Sequence, residues 1–268
     1  MLLTPGPTPV PEFVRKAMSD ITIHHRTEEF EAIFKNTREL LIEIYDMPEV
    51  VMLASSGTGA MEACVTNLTH KKALTINSGK FGERFGKICA AFGIDYTEIK
   101  NEWNTPVSVE AVVEAIKADS SIDAVFIQIC ESAGGLRHPV EQIAAEVKKI
   151  NKDITIVADG ITAVGVEKID TTNLDAVVTG SQKALMLPPG LAMIGFSNAA
   201  VAKIESKPRG YYFNLATEIK KQRTNTTAWT AATTLIIGLG AILEKLKADG
   251  FDNLYKQTAL RANATREA

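Results

Sequence analysis

Three short stretches of the chain place polar side chains directly after apolar, β-branched runs. Lys183 lies in TGSQKALMLPPG, just past the run that ends at Thr179, and such a run is typical of a buried strand. Asp159 closes the run ITIVAD at 154–159, and Ser55-Ser56-Gly57-Thr58-Gly59 follows VVMLA at 50–54. Ligands in α/β sheets bind outside the carboxyl ends of the strands. The three stretches therefore predict one shared site.

The stretch from Ser55 to Gly59 has the composition of an anion site. Its glycines permit a tight turn, and hydroxyls with free N–H groups at the start of a helix attract negative charge. A P-loop would need Gly-Lys-Ser/Thr where this chain has Gly59-Ala60-Met61, and a dinucleotide fingerprint would need glycine or alanine in place of Glu62. The pattern favours a cup for one phosphate, with a plain serine N-cap as the alternative.

Asp159 and Lys183 add two further groups to that edge of the sheet. An aspartate after four apolar residues is buried, which is costly unless it meets a cation or a protonated ring nitrogen. Alternatively, Asp159 is a turn residue before Gly160 and Lys183 is a solvated loop residue. A phosphate cup, a buried aspartate and a strand-end lysine together indicate pyridoxal 5′-phosphate as the cofactor.

Composition places the chain among ordinary globular proteins. Of its 268 residues 46% are hydrophobic and 23% charged, and a net charge of -3 indicates neither a nucleic-acid nor a membrane partner. Three cysteines and no visible secretory signal predict a cytoplasmic protein. The uncharged run 224–243 predicts a loop entering a buried helix rather than a membrane span. The adjacent pair His24-His25, with the other histidines far away in sequence, predicts no metal site.

Strands and helices alternate regularly along the chain. The predicted strands are 50–54, 73–77, 124–129, 154–159, 176–180 and 192–196. The predicted helices between the first five strands are 59–68, 83–92, 109–117 and 140–150. This alternation predicts an α/β fold with a mostly parallel mixed sheet, helices on both faces and sites at the strand C-termini.

The chain divides into three predicted parts. Residues 1–20 begin with a proline-rich segment that excludes helix and central strand, so we expect an extended N-terminal arm. Residues 21–230 contain the sheet and form the large, cofactor-binding domain. Residues 231–268 carry a helical pattern that breaks near Gly250. We expect a linker helix there, followed by the start of a C-terminal small domain that is otherwise largely absent.

Seven motifs follow one another along essentially the whole chain: TPGPTPVP, HHRTEEF, SSGTGAMEA, NSGKFGERF, ESAGG, VADGITAVG and TGSQKALMLPPG. As a set they resemble the class V aminotransferases of the fold-type I pyridoxal-phosphate enzymes, and within them the alanine/serine–glyoxylate (serine–pyruvate) branch. The resemblance implies transfer of an amino group from a small amino acid, alanine or serine, to a 2-oxo acid, glyoxylate or pyruvate.

The resemblance also implies which residues bind the cofactor's phosphate. The four implied by the motifs of this chain are Ser56, Gly57, Thr58 and Gln182. Thr227, in NTTAWT, resembles a residue that reaches the phosphate of the neighbouring subunit, which implies a homodimer. The branch usually carries a proline two residues later, where this chain has Trp229.

Five further residues are implied around the cofactor's ring. Phe81 and Ile161 would lie against its two faces, and Ser132 near its hydroxyl. Asp159 would keep the ring nitrogen protonated. Lys183 would bind the cofactor covalently and move a proton during transfer, so Lys183 and Asp159 are the predicted catalytic residues.

The C-terminal end departs from the family. There the small domain supplies an arginine for the substrate carboxylate, whereas Arg261 and Arg266 lie on a terminal helix and are expected to be exposed. No arginine of this chain receives that role from the resemblance. We expect a truncated product or a partial gene.

Two alternative functions remain open at this stage. One is another class V chemistry, phosphonate transamination or cysteine desulfuration, although desulfurases usually have histidines where this chain has Gln182 and Phe81. The other is a non-catalytic scaffold, which the retention of Lys183, Asp159 and Ser132 disfavours.

Overall fold

The computed structural model describes residues 4–268 and shows an α/β fold. The strands are β1 (Glu49–Leu53), β2 (Lys72–Asn77), β3 (Tyr96–Lys100), β4 (Ile122–Gln128), β5 (Cys130–Glu131), β6 (Leu136–Arg137), β7 (Thr155–Asp159), β8 (Ala176–Gly180) and β9 (Ala192–Phe196). The helices are α1 (Glu12–Met18), α2 (Glu28–Tyr45), α3 (Gly57–Leu68), α4 (Gly82–Ala91), α5 (Val109–Ala118), α6 (Val140–Ile150), α7 (Asn198–Ser206), α8 (Leu215–Gln222), α9 (Thr233–Asp249) and α10 (Phe251–Glu267).

One seven-stranded sheet organises the molecule, in the order β1-β9-β8-β7-β4-β2-β3. Strand β9 pairs antiparallel with β1 and β8, and the other neighbours pair parallel. Strands β5 and β6 form a separate hairpin. The prediction of a mostly parallel mixed sheet is confirmed. Because β1, β4, β7 and β8 run in one direction, their C-terminal ends open on the same edge.

Helices cover both faces of the sheet and divide the core into two layers. Phe34 on α2 and Leu239 on α9 belong to one layer, together with α5 and α6. Met61 on α3 and Phe85 on α4 belong to the other, together with α7 and α8. Strands β7 and β8 are buried along their whole length because helices cover both of their faces.

The predicted strands and helices lie within two residues of the observed bounds. Helix α3 begins at Gly57, before the predicted start, so the glycine turn is itself the first helical turn. Sequence patterns do not predict α1, α2, α7, α8, β3 or the hairpin. The edge strand β3 reads YTEIK and alternates between exposed and half-buried residues, so it offers no apolar run to recognise.

The N-terminal arm passes the edge of the sheet beside Lys183, the predicted catalytic lysine. Residues 4–11 have no regular structure, but α1 follows Pro11, so the extended part of the predicted 1–20 arm ends there. Residues 1–3 of that arm lie outside the described part. The Thr8 backbone N–H donates to the Gln182 carbonyl at 3.0 Å, and its hydroxyl donates to the Lys183 carbonyl at 2.9 Å.

The two C-terminal helices differ sharply in burial. Helix α9 packs into the core through residues such as Leu239, whereas α10 has no buried residue and leaves Leu260 64% exposed. Arg261 and Arg266 are exposed, as predicted. Within residues 4–268, no helix combines the length and the apolar composition that a membrane crossing needs.

Candidate active site

A cavity of about 260 Å³ opens where the strands end. Its lining includes nine of the ten residues predicted to bind the cofactor, namely Ser56, Gly57, Thr58, Phe81, Ser132, Asp159, Ile161, Gln182 and Lys183. Gly6, Arg84, Cys130 and Thr162 complete the lining. Residues up to 177 positions apart in the chain therefore meet because the sheet brings their loops to one edge.

Asp159 is the buried acid of this cavity. It is 5% exposed, and Oδ1 accepts a hydrogen bond from the Ile161 backbone N–H at 3.0 Å. Burial raises the pKa of Asp159 to about 6, and the Ile161 hydrogen bond and the Arg84 charge oppose that rise. Within residues 4–268 the carboxylate forms no ion pair. A protonated ring nitrogen would supply the missing positive charge.

Lys183 lies in a loop that backbone hydrogen bonds hold in place. The buried Ser181 accepts from Leu187 N–H through its carbonyl at 3.0 Å, and its hydroxyl donates to the Pro188 carbonyl at 2.7 Å. The lysine amine has no carboxylate partner among the described residues. Gly6 of the arm lies so close that a methyl group there would come within 2.7 Å of Nζ. A side chain on residue 6 would therefore displace the end of the Lys183 side chain from its present position.

Helix α3 presents an uncapped N-terminus to the cavity. Ser56 is its N-cap residue but makes no side-chain cap, whereas the N-cap side chains of α2, α5, α7 and α8 all accept a backbone N–H. The N–H groups of Gly57 and Thr58 have no acceptor in the described part of the chain. Gln182 lines the same cavity, and its side-chain NH₂ group can donate hydrogen bonds as these backbone N–H groups can. Free N–H donors at a helix N-terminus fit a phosphate.

Gly57 and Ile161 meet across the cavity wall. A methyl group on Gly57 would collide with Ile161 Cδ1, so this helix position tolerates only glycine while Ile161 keeps its place. The close approach puts an apolar side chain directly beside the α3 N-terminus. A ligand that combines an aromatic ring with a phosphate would bind both surfaces, the ring against Ile161 and the phosphate at the helix N-terminus.

Sequence patterns predict neither Arg84, which lines the cavity, nor Glu131, which binds two of the loops that carry lining residues. Arg84, in the first turn of α4, donates from Nη1 to Thr58 Oγ1 at 3.0 Å, and its Cζ lies 5.0 Å from the centroid of the Phe81 ring. It belongs to the motif NSGKFGERF, but nothing in the local pattern marks it, because its hydrogen-bond partner Thr58 lies on another helix. Only the fold brings Arg84 to Thr58.

Glu131 is the second residue that sequence reasoning misses. It is fully buried, and its carboxylate accepts from the backbone N–H groups of Phe81 at 2.9 Å, Gly82 at 2.8 Å and Ala133 at 3.1 Å. An acidic residue right after a buried strand is the same signal that marked Asp159, and it was available here. Glu131 fixes the loop that carries Phe81 against the hairpin that carries Ser132.

Thr227 is the predicted residue that lies apart. It is 7% exposed, donates its hydroxyl to the Trp229 carbonyl, and lines a different, smaller cavity with Tyr212 and Trp229. Its predicted role concerns a neighbouring subunit and stays a prediction.

Comparison with known proteins identifies the family. The family "Aminotransferase class-V" matches residues 2–267. The chain belongs to the class V aminotransferases. An "Uncharacterized aminotransferase" of Helicobacter pylori is 46% identical in an alignment of 269 positions that covers all of this chain and 73% of the relative.

Two further relatives carry more specific names. An "L-aspartate--glyoxylate aminotransferase" of Paracoccus denitrificans is 30% identical over the whole chain and 70% of its own length. The crystal structure of a subgroup IV aspartate aminotransferase from Thermus thermophilus superposes with a TM-score of 0.89 at 30% identity, covering 98% of this chain and 76% of that one. These similarities confirm the predicted family and enzyme class, and class V membership implies pyridoxal phosphate.

Proposed function

We propose that this aminotransferase uses pyridoxal phosphate to move an amino group from a small amino acid, alanine or serine, to a 2-oxo acid, glyoxylate or pyruvate. The observation that supports it most directly is the cavity itself. Among residues 4–268, it unites a buried carboxylate without an ion pair, a lysine amine without a carboxylate partner and an uncapped helix N-terminus. The name of the Paracoccus relative supports glyoxylate as the acceptor.

The chain's residues fit each part of the cofactor. Ser56, Gly57, Thr58 and Gln182 would bind the phosphate through hydroxyl, backbone and amide groups. Phe81 and Ile161 would hold the ring between two apolar surfaces. When bound, the cofactor supplies an electron sink that stabilises negative charge at the substrate's α-carbon.

Asp159 and Lys183 carry the proton chemistry. Asp159 would hold a proton on the ring nitrogen, since a buried carboxylate with a raised pKa gains most from a cationic partner at that point. Lys183 would act as the general base that takes the proton from the substrate α-carbon. It would then act as the general acid that delivers this proton to the C4′ position of the cofactor. Ser132 would hold the ring hydroxyl in place.

The decisive experiment compares wild type with Lys183→Ala in the presence of pyridoxal phosphate. We expect a visible absorption band that borohydride fixes on Lys183 in the wild type, and no fixed label in the variant. Lys80→Ala is the matched control, because Lys80 is an exposed lysine paired with Glu83 on the surface. A labelled Lys183→Ala chain, or an unlabelled wild type, would contradict the proposal.

The donor needs its own assay. Alanine, serine, aspartate, cysteine and aminoethylphosphonate, each with glyoxylate or pyruvate, separate the proposed reaction from aspartate, phosphonate and desulfurase chemistry. Fast turnover of alanine or serine supports the proposal. The names of two relatives suggest aspartate as the donor. A preference for aspartate would contradict the proposed donor but not the proposed cofactor or its binding residues. We further propose a cytoplasmic homodimer, in which Thr227 reaches the phosphate of the second subunit.

A further inference from the structure

Arg84 brings a second positive charge to the cavity besides Lys183. The guanidinium lines the cavity and, within residues 4–268, no carboxylate lies within 4.0 Å of it. Of its donor groups, the described part of the chain shows one bonded, from Nη1 to Thr58 Oγ1. An arginine offers five N–H donors in a planar fork that suits carboxylate and phosphate oxygens. The remaining donors are free to bind an anion.

The position of Arg84 selects where that anion would lie. Thr58 belongs to the first turn of α3, next to the free N–H groups of Gly57 and Thr58 itself. The guanidinium also stacks over the Phe81 ring, which limits its freedom to turn away from the cavity. Arg84 and the α3 N-terminus therefore face the same small region.

Charge explains why such a group is needed there. The four residues predicted to bind the phosphate, Ser56, Gly57, Thr58 and Gln182, are all neutral. A phosphate monoester carries nearly two negative charges at neutral pH, so these residues leave its charge uncompensated apart from the helix dipole. We propose that Arg84 is a further phosphate-binding residue, which neutralises the cofactor's phosphate and makes this cavity prefer pyridoxal phosphate over pyridoxal. The inference rests on the proposed function.

The test measures the dissociation constants of pyridoxal phosphate and of pyridoxal for wild type and Arg84→Gln. We expect Arg84→Gln to raise the dissociation constant of pyridoxal phosphate about tenfold or more, because charge-assisted hydrogen bonds to the phosphate are lost. The dissociation constant of pyridoxal, which has no phosphate, should rise by less than about twofold. The ratio of the two constants isolates the phosphate term as a double-mutant cycle does. Arg84→Lys, which keeps the charge but not the fork, should lie between the two.

A control and a second probe complete the design. Lys87→Gln removes one positive charge from the next turn of α4, on a side chain that is 66% exposed, and should leave the ratio unchanged. Inorganic phosphate should compete with pyridoxal phosphate in the wild type and compete less well in Arg84→Gln.

Each other outcome overturns the inference in a distinguishable way. If Arg84→Gln raises both dissociation constants equally, Arg84 acts only by holding Phe81 and Thr58 in position. An unchanged ratio combined with a higher KM for the amino acid assigns the guanidinium to the substrate carboxylate. A wild type that binds neither ligand rejects the proposed function, and the inference with it.

Discussion

The raised pKa of Asp159 makes the stability of the ligand-free chain depend on pH. Its raised pKa means that the ligand-free folded chain holds a proton that the unfolded chain releases at lower pH. Between the ordinary carboxyl value of 3.8 and about 6, the folded state binds more protons than the unfolded state, so the free energy of unfolding falls as pH rises. The loss is on the order of 3 kcal/mol and is nearly complete by about pH 7, one unit above the folded-state pKa.

Asp159→Asn should remove this loss. The amide oxygen can still accept the Ile161 N–H, but it carries no charge to bury. We expect the ligand-free variant to be more stable than wild type by a few kcal/mol at about pH 8 and by much less at about pH 4.5, as measured by urea unfolding. The variant should also lose most of its turnover.

Other groups also titrate in this range, such as His138, whose pKa burial lowers to about 4. Their contributions cancel when the free energy of unfolding of the wild type is subtracted from that of the variant. An equal stability gap at both pH values would contradict the assignment of the slope to Asp159. Pyridoxal phosphate added to the wild type should narrow the gap at the higher pH, because the cofactor's ring nitrogen supplies the missing cation.

At the scale of elements, the site depends on one buried carboxylate that joins two loops. Glu131 ends the short strand β5 and binds three backbone N–H groups, two at the start of α4 and one in the hairpin loop. Gly79 also packs against it, since a methyl group there would come within 2.6 Å of Glu131 Cγ. The positions of Phe81 and Ser132 therefore depend on the same side chain.

Glu131→Gln should destabilise the chain and weaken cofactor binding together. The glutamine places an NH₂ group against a backbone N–H, so at least one hydrogen bond is lost, at about 1–3 kcal/mol in the free energy of unfolding. Glu146→Gln is the control, because that carboxylate is 43% exposed and its ion pair, with Lys149, lies on the surface. Urea unfolding and a pyridoxal phosphate titration check both effects. Unchanged binding beside a clear loss of stability would limit Glu131 to a structural role.

At the scale of the whole molecule, an exposed aromatic cluster surrounds the segment of Thr227. It consists of Tyr211, Tyr212 and Trp229, with Tyr211 79% and Tyr212 48% exposed. The Trp229 ring lies 4.9 Å from that of Tyr211 and 6.1 Å from that of Tyr212, centroid to centroid. Aromatic residues are enriched at protein interfaces, and a second copy of the chain would cover this cluster in the proposed homodimer.

We expect light scattering to give about twice the chain mass of 29.0 kDa for wild type. Tyr211→Lys should shift the protein towards the monomer, since a charge in an apolar interface is costly, while its exposure keeps the effect on monomer folding small. Leu260→Lys, on the exposed face of α10, is the control. A wild type that runs as a 29.0 kDa monomer would contradict the homodimer and leave Thr227 without a role in the site.

Local patterns predict the α/β class, the strand-forming runs and a site that contains Asp159, Lys183 and the glycine turn at Ser56 to Thr58. These patterns suffice because buried strands such as β8 are continuous apolar runs, and site residues in parallel sheets follow the strand ends. Only the family resemblance adds Phe81, Ser132, Ile161 and Gln182 and names the cofactor roles, which neither periodicity nor spacing supplies.

The remaining features depend on how distant parts of the chain pack together. The fold placed β9 antiparallel between β1 and β8, Gly6 against Lys183, and Glu131 against the start of α4. It also brought Arg84 from one helix to Thr58 on another, a contact between residues 26 positions apart. Such contacts depend on which loops the sheet order makes neighbours, and that order is set by packing across the whole core rather than by any local pattern.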